Sequence, residues 1–173
     1  MTQIYQYAVA ALFIEAVVIF FYFQKRSLPT FQNILFLIIL SVVTLTTVSE
    51  LWAMHTEAHP AYSLTSKYLI NCIYFTFTVT FGLLYAIYNL SVFDIYGKIT
   101  RRSIRIIQII MLVPYFVMIA LVWLSPFLSD FFPLIFTIDP VTGYQRGNNI
   151  WFHGIVFIKA FYIVFTFLIL YTA

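Results

Sequence analysis

Glu15 and Lys159 are the charges set deepest in apolar sequence, about eleven residues after Ile4 and about nine after Ile150. On helices entering a bilayer from the same side at about 1.5 Å per residue, their depths differ by only a few ångströms, so the two could pair. Ionisable groups at such depth are costly unless they face a bundle interior or a wet cavity. The pair therefore reads either as a switch or ligand-recognising element, or as a link that only fixes helix packing. Glu50 stands one turn from the end of its apolar run and reads as interfacial. His55 and His59 are four apart with Glu57 between them, and on a helix they could hold one metal ion, with His153 as a third ligand. Against a metal, His-Thr-Glu-Ala-His is not the metalloprotease order and Pro60 signals that the helix has ended. The expectation is no metal centre and no cofactor. Asp139, Tyr144 and Arg146 complete the set, in the structured-looking stretch Pro133 to Trp151. Arg146 could grip a ligand, a lipid headgroup, or internally Asp139 or Asp130.

No nucleotide-binding loop, carboxylate pair or Ser-His-Asp set occurs at usable spacing, so no catalytic residue is assigned and the chain is not read as an enzyme. Cys72 is the single cysteine, which excludes an internal disulfide and a cysteine-based metal site.

The elements that must carry these residues follow from composition. Of 173 residues, 63% are hydrophobic and only 9% charged, against about a quarter charged in soluble domains. The mean hydropathy is +0.98. At about 20 apolar residues per helical span, the chain has room for five to seven spans and no separate soluble domain. The apolar runs predict spans at about 4–23, 33–54, 66–93, 106–124 and 150–173. Ser41, Thr44, Thr46, Thr47, Ser49 and Glu50 crowd the second half of the second span, which is expected to face protein. In the third, Asn71, Thr78, Gly82, Tyr85 and Asn89 fall on one helical face, the expected packed face. Pro114 predicts a kink in the fourth. Trp52, Tyr68, Trp123 and Trp151 read as an interfacial belt.

The basic residues assign the sides. Lys25, Arg26, Lys98, Arg101, Arg102 and Arg105 gather in two loops on one side, against Lys67 and Arg146 on the other and Lys159 within a span. By the positive-inside rule the first set is cytoplasmic, which puts the N-terminus outside and the C-terminus in the cytoplasm of a multi-pass plasma (cell) membrane protein. The positive balance is thus a topology signal with attraction to anionic lipid as a by-product, and nucleic acid is not an expected partner. The fifth span runs to Ala173 with no basic residues behind it, which leads us to expect a fragment of a longer protein.

Within Pro133 to Trp151, an aromatic-aliphatic run meets Asp139-Pro140, and Gly143 suits a turn residue with positive φ. The stretch, at about 133–147, reads as a small β-hairpin that must rest on helix ends or on the loop from His55 to Tyr62, because an isolated hairpin is marginal in water. The fold class expected is an all-α polytopic membrane protein, a bundle of five predicted transmembrane helices with one small extracytoplasmic β-hairpin.

The run Phe132-Pro133-Leu134-Ile135-Phe136-Thr137-Ile138-Asp139, followed by Gly143-Tyr144-Gln145-Arg146-Gly147, resembles the segment between the fourth and fifth spans of the membrane sensor regions that precede GGDEF (diguanylate cyclase) domains in Firmicutes. A similar segment occurs in seven-span histidine kinases. Lys25-Arg26-Ser27-Leu28-Pro29-Thr30 and Asn33, after a phenylalanine-rich helix end, are similar to the opening of that family. The resemblance implies a single sensor region, 1–173, that perceives an unknown small ligand or envelope cue. It would pass the signal through its last helix, as a homodimer in the full-length protein, to a cytoplasmic diguanylate cyclase. No GGDEF-like or kinase-like sequence is present, so no active-site residue carries over. A small transporter or channel-like bundle, or a membrane partner subunit without its own chemistry, stands as the alternative.

Overall fold

In a bilayer core no water satisfies exposed peptide groups, so an apolar run closes its own hydrogen bonds as a helix. Five stretches do so over 19 to 29 residues each, long and apolar enough to cross a membrane. The computed structural model describes residues 2–24, 30–98, 100–128, 135–139, 141–143, 145–147 and 149–172. In order, the elements are α1 (Thr2–Gln24), α2 (Phe31–Ala58), α3 (Leu64–Val92), the single turn α4 (Ile95–Lys98), α5 (Arg101–Leu128), β1 (Phe136–Ile138), β2 (Gln145–Gly147) and α6 (Asn149–Thr172). Hydroxyls start three of the long helices: Thr30, Ser63 and Thr100 accept from the backbone N–H groups of Asn33, Ser66 and Ser103.

Helix α2 continues past the expected boundary at Met54, so His55, Thr56 and Glu57 are helical. It stops at the extended His59, the conformation favoured before Pro60. At 28 or 29 residues, α2, α3 and α5 are each about 42 Å long or slightly more, against a hydrocarbon core of about 30 Å, so their ends project.

Helix α3 is the hub, packed against α2, α5 and α6, with Cys72, Phe75, Val79, Ala86 and Leu90 almost wholly buried. Gly82 permits the close approach of α6, since a Cβ there would lie 3.1 Å from the Tyr162 ring. The expected polar stripe holds through Asn71, Thr78 and Gly82, but Tyr85 is exposed and Asn89 only half-buried. There Ala86 and Leu90 take over the packed face. Helix α1 lies against α2 and presents Phe13, Phe20 and Phe23 outward.

The hydroxyls of α2 largely answer to their own helix. Ser41, Thr44, Thr46 and Thr47 donate to carbonyls four residues back, and Ser49 to the one three back. Of this group Thr47 and Ser49 are buried, whereas Ser41 is exposed. Helix α5 runs on through Pro114 and Pro126. Pro126 has no N–H for the Val122 carbonyl, and the Cys72 thiol supplies a donor at 3.4 Å. Arg101, Arg102 and Arg105, expected in a loop, belong to the first two turns of α5.

Strands β1 and β2 pair antiparallel, Phe136 with Gly147, Thr137 with Arg146 and Ile138 with Gln145. Inward-facing Phe136 and Ile138 are buried, as is Ile135 before them. Phe136 meets the rings of Tyr68 and Phe75 at 5.6 and 5.2 Å. Ile135 N–H donates to Ser125 Oγ at 3.0 Å, so the hairpin is bound to α3 and α5 through backbone as well as apolar contact.

Candidate functional site

The short α2–α3 connection brings Glu57, near the last turn of one helix, alongside Lys67 and Asn71 in the first turns of the next. Lys67 is only 5% exposed and Asn71 only 1%. Asn71 donates to Glu57 Oε1 at 3.2 Å and to the Lys67 carbonyl at 3.0 Å. The Gln145 backbone N–H also donates to the Glu57 carboxylate, which ties β2 to this cluster. The Lys67 ammonium donates to the Glu57 carbonyl at 3.3 Å and interacts electrostatically with the Glu57 carboxylate.

Above Lys67 stands the hairpin turn. Asp139 organises it, accepting at Oδ1 from the N–H groups of Val141 (2.9 Å) and Thr142 (3.3 Å), and at its carbonyl from Gly143 (2.7 Å). Gly143 has φ +73°, and a Cβ there would collide with Lys67 Nζ. A cavity of about 210 Å³ lies between turn and helices, lined by Glu57, Pro60, Tyr62, Leu64, Lys67 and residues 141–143.

Deeper in the bundle, Lys159 of α6 has Glu50 of α2 as its electrostatic partner, and Tyr74 of α3 lies beside Glu50 and Thr78. The Thr78 hydroxyl is buried beside the Tyr74 side chain. Tyr162 closes this layer by donating to the Met111 carbonyl at 2.7 Å.

The expected pairing of Glu15 with Lys159 is therefore replaced. Glu15 meets Thr47, whose hydroxyl is 2.9 Å from Oε1, while Oε2 is buried without a partner among the described residues. Equal depth did not make the two charges neighbours, because α1 lies against α2 whereas α6 lies against α3 and α5. Glu50, read as interfacial, is the carboxylate that Lys159 faces. Asp139 serves the turn. Tyr144, Asp130 and Pro140 lie outside the described residues, as do the side chains of Arg146 and Trp151.

His55 and His59 stack edge-on with ring centroids 4.4 Å apart, but no group of three His, Cys, Asp or Glu side chains among the described residues could hold a metal ion. Helix α2 ends before His59, so the i and i+4 geometry is not extended to a third ligand. Of the expected belt, Trp52 is exposed, Trp123 donates to Thr76 Oγ1 at 3.0 Å, and Tyr68 is buried under the hairpin. The Glu57–Lys67–Asn71 cluster was missed by reading charges loop by loop. Its signal was opposite charges ten residues apart on either side of Pro60, which a helical turn-back makes adjacent.

Comparison with protein-family models, with curated proteins and with solved structures gives no match.

Proposed function

We propose that the chain is the membrane-embedded signal-input region of a bacterial signalling protein, with the hairpin as an extracytoplasmic lid. The observation that supports this most is the seating of the hairpin. Its inner residues enter the α3–α5 core, its turn rests on a buried lysine, and α3 touches every long helix except α1 closely. A cue that shifts the turn would change packing at the head of α3, and through it at α6. In the sense of two conformations, the cue needs only to favour one seating of the hairpin over another. Following the resemblance carried by Phe136 to Gly147, the output is a cytoplasmic diguanylate cyclase. The test is to express the whole reading frame in which this chain stands and follow cyclic di-GMP with the hairpin intact and with Phe136→Ala. A frame that carries or adjoins no output domain, or cyclic di-GMP levels indifferent to the hairpin, sinks the proposal.

A second reading, a small transporter, draws on Glu50, Lys159 and the buried Thr78 hydroxyl, polar groups gathered between three helices. Solute uptake into proteoliposomes that is abolished by Glu50→Gln would favour it over the sensor.

A further inference from the structure

We infer that the cavity beneath the hairpin turn is a binding site for a small organic monocarboxylate, received by the ammonium of Lys67. Three observations meet there. First, Lys67 is 5% exposed yet among the described residues its ammonium donates one hydrogen bond, to the Glu57 carbonyl, although an ammonium carries three donors. A buried cation with unfilled donors is costly, and an acceptor entering the cavity that Lys67 lines would relieve that cost. Second, the turn's own N–H groups are already used by Asp139, so the anion's partner is the lysine and not the loop backbone.

Third, charge and size restrict the guest. Glu57 stands beside Lys67 and already accepts from Asn71 and from Gln145 N–H, so the site carries one positive and one negative group. A phosphate dianion would meet about twice the repulsion from that carboxylate that a single carboxylate meets, which favours the singly charged guest on the Lys67 ammonium. At about 210 Å³ the cavity is below the size of drug-binding pockets, and Pro60, Tyr62, Leu64 and Val141 offer walls for a body of a few carbons. Because Gly143 lies directly over Lys67 Nζ, an occupant there presses on the turn, which is how occupancy would reach the hairpin.

The site deepens the sensory reading and rests on it for its purpose, but binding is measured without any output. The purified chain in lipid nanodiscs is titrated calorimetrically with propionate, alanine and propylamine. Saturable binding of propionate and alanine but not propylamine is expected. Lys67→Met should weaken it by about tenfold or more, the worth of a charge-assisted hydrogen bond. Should Lys67→Met fail to fold, Val141→Trp decides: Val141 is 91% exposed at the rim, so its replacement obstructs the cavity while leaving the thermal transition unchanged. Absence of carboxylate binding, binding of propylamine alone, or affinity unaltered in whichever of the two variants folds overturns the site. The sensory reading would then still be judged by cyclic di-GMP.

Discussion

The Ile138 N–H donates to Tyr68 Oη at 3.1 Å, joining the first strand of the hairpin to the head of α3 across 70 residues of chain. The bond is buried, and the same tyrosine ring packs on Phe136. Tyr68→Phe keeps the ring contact but leaves a buried N–H without an acceptor, which costs about 1–3 kcal/mol. The expected result is a lower unfolding midpoint in detergent and faster proteolysis within residues 129–148. A variant as stable and as protease-resistant as the parent would show that this bond is dispensable.

Phe136→Ala removes a wholly buried ring from between Tyr68 and Phe75. Such truncations cost about 3–5 kcal/mol, and here the loss falls on the hairpin's attachment. Hydrogen exchange should rise in β1 and β2 while the centre of α3 remains protected. Equal loosening of all the helices would instead mean that the hairpin is integral to the bundle's core.

Gly143→Ala combines a left-handed backbone, worth about 1–2 kcal/mol for an L-residue, with a collision against Lys67. Replacing Lys67 by Ala in the same chain removes the collision but not the backbone term. The two changes together should therefore destabilise by less than their sum, as read from equilibrium unfolding. Strict additivity would place the turn away from the lysine.

Glu50→Gln and Lys159→Met each remove one side of the electrostatic interaction between α2 and α6, and each should lower the unfolding midpoint. The double variant should recover part of that loss. Glu15→Gln combined with Lys159→Met should show no such coupling, because Glu15 faces Thr47. Coupling of Lys159 to Glu15 instead of Glu50 would reverse the helix arrangement given above.

Tyr162→Phe deletes the hydrogen bond to the Met111 carbonyl, three residues before Pro114. A loss of about 0.6–1.7 kcal/mol is expected, as for other interhelical bonds in membranes, without change in helix content by circular dichroism.

The membrane character and the five spans were legible in single residues and runs, since apolar length against bilayer thickness is a local property. So was the hairpin: Asp139 and Gly143 have the turn chemistry that the structure uses, and the inward Phe136 and Ile138 alternate with Thr137 as a half-buried strand requires. Local reading also put Asn71, Thr78 and Gly82 on the packed face of α3.

Lateral neighbours were another matter. Depth along a helix axis follows from counting residues, but which helix stands beside which depends on the packing of whole faces, and that is why Lys159 found Glu50 and not Glu15. The same holds for Tyr68, whose type and position suggest an interfacial ring until the hairpin covers it. Lys67 is the sharpest case. By sequence it is a loop-side charge on the less basic face of a membrane protein, and only the fold-back of α3 on α2, with Gly143 lowered onto its ammonium, makes it a buried cation at the floor of a cavity.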